Sequence, residues 1–507
     1  MRRLLGVLFA MALMAPLGAR ADTAADCAAI AQSKIDVTNL LSSTVVPAGN
    51  GLPAYCRVLG FVRPAINFEI HLPATGWNGK FLMLGCGGFC GSLETGGQVG
   101  AMNRGLRRGY AVSTTDSGHW GATDTDGRWA MNNPVAQADW GWRAVTETAR
   151  VSKAVIRELY GATAQKSYFY GCSNGGRQAL MEASRFPADF DGIVAGAPAM
   201  DATHLAGALF AFLLQSNTGA DGKPIFTNAK LRLVTRAVTA ACGDVDGIVN
   251  DPRACRFKPA TLLCVAGRNA DTCLTPAEAG TLEKWYAGPM ARAGKPLYAG
   301  GIPAGSEVFW PAWLTGNGKS DGADMAFARD GLRYLSFPIA PGPQFDPVRD
   351  YNIERDLPKL RPLAEIYDST NPDLSKFNAR GGKLIVYQGW ADAIVTPFRT
   401  VEYYEAVTKA AGGATKAEAF ARLFMIPGMD HCGSSNAGPG IDYRGLDPLA
   451  ALESWVEKDQ APAQLLTTKL DATGKPLWSR PVCTWPTVAK LKPGADRANA
   501  ESWSCSD

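Results

Sequence analysis

Residues 167–176 read Ser-Tyr-Phe-Tyr-Gly-Cys-Ser-Asn-Gly-Gly and contain a Gly-x-Ser-x-Gly pentapeptide at positions 171–175. A β-prone run at 167–170 precedes the pentapeptide, and a helical pattern at 176–186 follows it. A strand, a sharp turn and a helix in this order predict a nucleophile elbow, in which the turn holds a serine hydroxyl above a sheet. The flanking glycines are needed because a Cβ there would collide with a neighbouring strand or helix. Ser173 is therefore the candidate nucleophile.

The base that activates a serine hydroxyl is usually a histidine. The chain has four histidines, His71, His119, His204 and His431. In the α/β-hydrolase fold the chain order is nucleophile, acid, histidine. His71 and His119 precede the serine, and His204 follows it too soon to leave room for an acid. The order therefore selects His431.

The acid is expected at the end of a strand between the serine and the histidine. The best buried-strand pattern in that interval is 381–387, and it leads into Gln388-Gly389-Trp390-Ala391-Asp392. Asp392 is predicted to orient the imidazole and stabilise its cation. Two alternatives stay open: Asp392 caps the next helix, or Asp430, next to the histidine, is the acid.

The oxyanion of an acyl-transfer intermediate needs backbone N–H donors. One is expected from Asn174, directly after the nucleophile. The second is expected from Gly88 or Gly87, in the glycine-rich stretch at 85–91 that follows a strand pattern at 80–84. A phosphate-binding loop is the alternative, but the glycine spacing matches neither a P-loop nor a dinucleotide fingerprint.

The first residues are typical of an export signal. Arg2 and Arg3 are followed by an apolar run at 4–15 and by the cleavage pattern Ala19-Arg20-Ala21. We therefore expect a signal peptide at 1–21 and a secreted or periplasmic protein. No later segment approaches the ~20 apolar residues of a membrane span. The net charge is only +4 and the basic residues are scattered, which gives no indication of nucleic-acid binding.

Twelve cysteines in an exported chain predict disulfides. Pairing sequence neighbours gives Cys27–Cys56, Cys86–Cys90, Cys242–Cys255, Cys264–Cys273 and Cys483–Cys505. Cys172 and Cys432 are left over, and they adjoin Ser173 and His431 respectively. A bond between them would hold the candidate nucleophile and base within ~14 Å, Cα to Cα. A metal site is the alternative, but the chain has no Cys-x-x-Cys pair.

Several of these segments together resemble the tannase and feruloyl esterase family. They are the stretches 171–176, 389–392 and 431–432, with 77–81 and 116–119. The resemblance covers nearly the whole mature chain. It implies an α/β-hydrolase core, a lid inserted after the strand that follows the nucleophile helix, and a disulfide between cysteines flanking the catalytic serine and histidine. It also implies hydrolysis of gallate, ferulate or related hydroxycinnamate esters and, in some members, terephthalate monoesters.

The coarse pattern of elements agrees with that architecture. Regular alternation of strands and helices lapses from about 200 to 379. We therefore expect a first part of the core at 22–199, a lid domain at 200–379 and a second part of the core at 380–507. Aromatic lid residues are candidates for a substrate pocket: Trp285, Trp310, Trp313, Phe327, Tyr334 and Phe337.

The chain departs from the family pattern at two places. Family members often have a histidine four residues before the catalytic aspartate, where this chain has Gln388. The family lid usually binds a structural calcium through a longer run of aspartates than the one at 242–251. Calcium takes about six to eight oxygen ligands. Asp244, Asp246 and the Ile248 carbonyl would supply part of that shell. A turn that is closed by the Cys242–Cys255 disulfide and binds no ion is an alternative of equal weight.

The sequence thus predicts a secreted serine carboxylic ester hydrolase that cleaves small-molecule esters of aromatic acids through an acyl-enzyme. No cofactor takes part in this chemistry. A terephthalate monoester hydrolase, a general carboxylesterase and a peptidase are alternatives with the same triad. A catalytically silent α/β-hydrolase-like binding module is the alternative of a different class, and the intact triad and glycine-rich loop argue against it.

Overall fold

A computed structural model describes residues 24–94, 97–265, 272–317 and 321–506. The predicted signal peptide at 1–21 lies outside the described residues. The described strands form one nine-stranded sheet in the order β1-β2-β3-β5-β4-β6-β7-β8-β9 and two small antiparallel sheets, β10-β11 and β12-β13. Their bounds are β1 Thr38–Val46, β2 Tyr55–Val62, β3 Ile66–Pro73, β4 Lys80–Leu84, β5 Ala111–Thr115, β6 Lys166–Cys172, β7 Gly192–Gly196, β8 Lys383–Gly389, β9 Ala421–Ile426, β10 Gln464–Leu470, β11 Pro476–Cys483, β12 Val488–Leu491 and β13 Trp503–Ser506.

The α-helices of the described residues cover both faces of this sheet and build most of the region between β7 and β8. Their bounds are α1 Ala24–Ile30, α2 Gln98–Arg107, α3 Pro134–Ala138, α4 Ala144–Tyr160, α5 Asn174–Arg185, α6 Ala202–His204, α7 Ala211–Ser216, α8 Leu231–Cys242, α9 Pro276–Ala287, α10 Trp310–Trp313, α11 Ala323–Asp330, α12 Ile353–Asp356, α13 Arg361–Tyr367, α14 Ser375–Ala379, α15 Pro397–Ala410, α16 Ala414–Glu418 and α17 Pro448–Lys458. None of the helices described here is long and apolar enough to cross a bilayer.

The six strands from β4 to β9 are parallel, and β1 to β3 join them as an antiparallel edge. Every residue of β7 is buried, as expected for a parallel strand covered by helices on both faces. The predicted strand at 80–84 is confirmed with the same bounds as β4, and β7 is the strand that follows the helix after Ser173. The α/β-hydrolase fold places functional side chains beyond the carboxyl ends of such strands, where the candidate residues lie.

The region between β7 and β8 contains no strand among its described residues. It has its own hydrophobic core, in which Trp285 and Trp310 are fully buried. This core also includes Ala393, Ile394 and Val395, from the loop after β8. The region therefore packs directly against the loop that carries Asp392, and we propose it as the lid domain at 200–379.

Candidate active site

Ser173 lies at the turn between β6 and α5 and has φ 63° and ψ −124°. A non-glycine residue at positive φ is strained by ~1–3 kcal/mol and persists only where its surroundings hold it. The close packing of the turn requires glycines. A Cβ on Gly171 would lie 2.3 Å from the Gly175 carbonyl oxygen, and one on Gly176 would lie 2.3 Å from the Gly196 carbonyl oxygen. This is the geometry of a nucleophile elbow.

His431 and Asp392 meet beyond the carboxyl ends of β9 and β8. Asp392 Oδ2 lies 2.7 Å from His431 Nδ1, and both side chains are buried. Asp392 Oδ1 accepts hydrogen bonds from the Ile394 and Val395 amides, at 3.1 and 2.9 Å. These two amides fix the carboxylate, so that its other oxygen faces the imidazole.

Gln388, four residues before Asp392, supports the same carboxylate. Its Nε2 donates to Asp392 Oδ2 at 2.8 Å and to the Val395 carbonyl at 3.0 Å. Its Oε1 accepts from the Thr400 hydroxyl at 2.9 Å. An amide side chain therefore supplies a donor to the carboxylate at this position without an ionisable ring.

Asp430, the alternative candidate for the acid, accepts its hydrogen bonds from residues other than His431. It accepts hydrogen bonds from the Ser434 hydroxyl at 2.8 Å and from the Ser435 amide at 3.3 Å. Burial raises its pKa to about 6. The contact with the imidazole is made by Asp392, which favours Asp392 as the acid.

A disulfide joins Cys172 and Cys432, with 6.0 Å between their Cα atoms. The Cα atoms of Ser173 and His431 are consequently within ~14 Å of each other. Both residues line one cavity, and within the described residues no hydrogen bond joins the serine hydroxyl to the imidazole. Such contacts are often long in a free enzyme and tighten when substrate binds.

The two predicted oxyanion donors line a second, smaller cavity that also contains Ser173. Asn174 and Gly88 both line it beside Ser173, and neither backbone N–H donates to another described residue. Gly88 has φ +56°, and a Cβ there would lie 2.3 Å from the Asp124 carbonyl oxygen. The Cys86–Cys90 disulfide closes this loop. These two free amides can therefore receive an oxyanion next to the serine.

Arg177 is a buried residue of the site that no sequence motif singles out. Its Nε donates to the Asn174 side-chain oxygen at 2.7 Å, and its other nitrogens donate to the carbonyls of Trp140, Gly141 and Tyr367. Burial lowers its pKa to about 10, so it stays protonated at neutral pH. Arg177 thus anchors the residue that follows the nucleophile.

The other histidines lie away from the imidazole site. Buried His119 packs on the Trp129 ring and bonds the Phe89 carbonyl at 2.7 Å, and burial lowers its pKa to about 4. Because Phe89 follows Gly88, His119 supports the loop that carries Gly88. His71 lies 2.6 Å from a Glu69 oxygen in β3.

The structure contains all six disulfides that cysteine pairing predicts. Besides the two already described, they join Cys27 with Cys56, Cys242 with Cys255, Cys264 with Cys273 and Cys483 with Cys505.

Of the aromatic lid residues, Trp313 and Phe327 line the cavity that contains Ser173, and the Trp313 ring packs edge-on against His431.

A profile of the family described as tannase and feruloyl esterase matches residues 52–506. The chain belongs to this family. An uncharacterized esterase of Xanthomonas campestris pv. campestris is 35% identical over 100% of this chain and 96% of its own length. A mono(2-hydroxyethyl) terephthalate hydrolase of Piscinibacter sakaiensis is 33% identical over 90% of this chain and 85% of its own length. The crystal structure of feruloyl esterase B from Aspergillus oryzae has a TM-score of 0.83 at 28% identity and covers 95% of this chain and 100% of its own.

Membership in the tannase and feruloyl esterase family makes this chain a carboxylic ester hydrolase. The α/β-hydrolase architecture predicted from the elbow is confirmed by the same comparison. Esterases of this family act on small-molecule esters and need no cofactor for catalysis.

The calcium ligands expected from the family do not fit an ion in this tannase-family chain. Two arginines from the C-terminal segment already pair with the carboxylates. Asp246 Oδ2 lies 2.6 Å from Arg480 and 2.8 Å from Arg497, and Asp244 Oδ2 lies 3.2 Å from Arg497. The Ile248 carbonyl accepts from the Asp244 amide at 2.9 Å. The positive charge that calcium would supply is provided by guanidinium groups.

A second acidic cluster lies where the lid begins. Oxygen and nitrogen atoms of Asp201, His204 and Asp368 are within 4.8 Å of one another. Arg399 Nε lies 3.2 Å from Asp201, and Thr203 donates to Asp368 at 2.7 Å. These contacts make the cluster an ion-pair network that joins the lid to α15.

Proposed function

We propose that Ser173, His431 and Asp392 form the catalytic triad of an esterase for aromatic acids. The Ser173 oxygen attacks the ester carbonyl while His431 Nε2 accepts its proton, and Asp392 stabilises the resulting imidazolium. The amides of Asn174 and Gly88 donate to the oxyanion of the tetrahedral intermediate. A donor of this kind typically contributes ~10²–10³-fold to kcat.

The intermediate collapses when His431 gives the proton to the alcohol oxygen, which leaves and yields an acyl-enzyme. A water molecule then attacks the acyl carbon as His431 takes its proton, and the same imidazole returns that proton to Ser173. The products are the free acid and the alcohol. Every step uses groups of this chain and water.

The acid part of the substrate is assigned to a small apolar cavity beside the nucleophile. Its wall includes Ser173 together with the rings of Phe89, Trp140, Phe210 and Phe327. Aromatic walls of this kind favour a planar ring through stacked or edge-on contacts. The names of the relatives, feruloyl esterase and terephthalate monoester hydrolase, support esters of aromatic acids. We propose ferulate, gallate and related phenolic acids, with terephthalate monoesters as the second candidate.

The contact of His431 with Asp392 at 2.7 Å, beside a strained Ser173, is the observation that carries this proposal. The experiment combines a fluorophosphonate with a substrate panel. We expect the label on Ser173, and we expect Ser173→Ala to fold but to lose turnover by at least ~10⁴-fold. A label on another residue, or turnover retained in Ser173→Ala, would rule out the assigned nucleophile.

The panel contains methyl ferulate, methyl gallate, a terephthalate monoester and a short p-nitrophenyl ester. We expect kcat/KM for at least one aromatic-acid ester to exceed that of the p-nitrophenyl ester after correction for leaving-group reactivity. The reverse ranking would indicate a general carboxylesterase, and no turnover of any ester would indicate a silent binding module.

We also propose that the mature protein acts outside the cytoplasm, either secreted or in the periplasm. Six disulfides support an oxidising compartment. Fractionation of the source cells, with a western blot against the mature chain, tests this assignment. Recovery of the disulfide-bonded protein only in the cytoplasm would contradict it.

A further inference from the structure

Two cavities meet at Ser173, and the larger one has a volume of about 510 Å³ and also contains His431. The described residues that line the smaller, apolar cavity do not include His431. In acyl transfer the leaving alcohol takes its proton from the imidazole, so the alcohol oxygen must lie within hydrogen-bond reach of it. The larger cavity is therefore the region that receives the alcohol part of the ester.

One face of α2 forms part of the wall of this larger cavity. Gly100, Ala101 and Arg104 line it from one side of the helix, together with Gly97, the residue that caps the helix N-terminus. A Cβ added to Gly97 would meet no atom within 4 Å, and one on Gly100 would meet only the Arg104 side chain. Three small residues thus leave open space beside one cationic side chain.

The guanidinium of Arg104 has no carboxylate partner within ion-pair distance in the part of the chain that the structure describes. It lies 5.3 Å from the centre of the Tyr443 ring, a cation–π contact that orients it. The Tyr170 and Tyr387 hydroxyls, 3.2 Å apart, also line the cavity. Burial raises the pKa of both hydroxyls, and the positive charge of Arg104 opposes that rise.

Asp124 also lines this cavity and carries the opposite charge. It packs against Gly88, at the oxyanion loop, where its Cβ lies 2.9 Å from the position a Gly88 Cβ would take. Arg104 instead contacts the Tyr443 ring and interacts electrostatically with Tyr170 and Tyr387. The Arg104 end of the cavity therefore offers a cation, three phenol hydroxyls and space.

We propose that Arg104 binds a carboxylate on the alcohol part of the substrate, so that the preferred esters join an aromatic acid to a hydroxy acid. A guanidinium accepts a carboxylate through two parallel hydrogen bonds, and the stacked Tyr443 ring holds it ready for that contact. This inference rests on the proposed function, since it concerns the alcohol side of the same site.

The test uses feruloyl esters that differ only in the alcohol. Esters of ω-hydroxy acids of increasing chain length are each compared with the ester of the matching hydroxy amide, which is neutral and similar in size. Both members of a pair form the same feruloyl-enzyme, so deacylation is common to them and kcat/KM compares binding and acylation alone. We expect the best carboxylate ester to exceed its amide partner ~3–10-fold in kcat/KM at low salt. The ratio should fall towards unity in ~0.5 M NaCl, because the site is open to solvent.

Variants on α2 assign this preference to one residue. In Arg104→Gln the ratio of carboxylate to amide ester should drop to about unity, and Arg104→Lys should keep part of it because the charge remains. Arg107→Gln is the matched control, since Arg107 is an exposed arginine of the same helix that does not line the cavity. Its ratio should equal that of the wild type.

A ratio near unity in the wild type, or a preference that survives Arg104→Gln, would overturn the inference. Faster hydrolysis of a feruloyl ester of an amino alcohol than of the carboxylate esters would overturn it too, because Asp124 would then govern the cavity. In each of these cases the amide esters are still hydrolysed and the proposed function stands. If no ester of the series is hydrolysed, the proposed function itself fails.

Discussion

Cys172 and Cys432 are bonded to each other with their Cα atoms 6.0 Å apart, although 260 residues separate them in sequence. Cys172 ends β6 and adjoins Ser173, whereas Cys432 follows β9 and adjoins His431. In the sheet order, β7 and β8 lie between these two strands. One covalent bond thus links the loop of the proposed nucleophile to the loop of the proposed base across two intervening strands.

Removing this bond should lower both stability and activity. In Cys172→Ala/Cys432→Ala the chain-entropy model gives a loss of up to ~5–6 kcal/mol in the free energy of unfolding, because the bond closes a loop with a sequence separation of 260. We also expect kcat to fall at least ~10-fold in the remaining folded protein, because the loops of Ser173 and His431 are no longer held in fixed relative positions. Urea unfolding and kcat at a temperature where the variant is folded provide the measurement.

The matched control is Cys27→Ala/Cys56→Ala, which removes a disulfide between α1 and β2. It should lower stability and leave kcat per folded molecule close to that of the wild type. Equal kcat losses in the two double variants would contradict a specific role for the Cys172–Cys432 bond.

Substitution of the two candidate acids separates their roles. Asp392→Asn should lower kcat by ~10⁴-fold, since an asparagine cannot stabilise the imidazolium and favours the wrong tautomer of His431. Asp430→Asn should lower kcat less than ~10-fold, because Asp430 bonds Ser434 and Ser435 instead of the imidazole. Steady-state kinetics on one ester decides between them, and the reverse order would make Asp430 the acid.

Glu307, buried in the lid, should make stability depend on pH. Burial raises its pKa from 4.5 to about 7. The folded state therefore holds a proton that the unfolded state releases between these values, so this stabilisation is complete below pH 4.5 and is lost as pH rises through 7. The loss is on the order of 1–3 kcal/mol.

Urea unfolding at pH 5 and pH 8 measures this contribution. Glu307→Gln keeps the shape of the side chain and its acceptor oxygen for the Tyr286 hydroxyl, at 2.8 Å in the wild type. It should reduce the stability difference between the two pH values. An unchanged difference would show that other groups cause the pH dependence.

Calcium removal should leave the protein unchanged, because guanidinium groups neutralise the lid carboxylates. We expect EGTA to shift Tm by less than ~1 °C, whereas Arg497→Met should lower the free energy of unfolding by ~1–3 kcal/mol as it leaves Asp246 with one partner fewer. Thermal unfolding with and without EGTA is the measurement. A fall of several degrees in EGTA would indicate a bound ion and contradict the arginine pairing.

Much of the site was predictable because its signals are local or follow from chain order. The elbow around Ser173 lies within one strand, one turn and the start of one helix, so neighbouring residues determine its geometry. The place of His431 followed from the order of triad members in the fold. The strands β1 and β2 and the four C-terminal strands β10 to β13 were not predicted. β1 alternates weakly, with polar residues such as Asn39 and Ser42 along an exposed edge.

The sequence by itself determined the elbow, the cysteines that adjoin Ser173 and His431, and the family. Only the tertiary structure decided that Arg177 anchors Asn174, that Arg497 reaches Asp246 from 251 residues away, and that Arg104 faces the cavity of His431. The reason is physical. A turn or a strand is set by neighbouring residues, whereas an arginine finds its partner only after sheet order and lid packing have brought distant segments together.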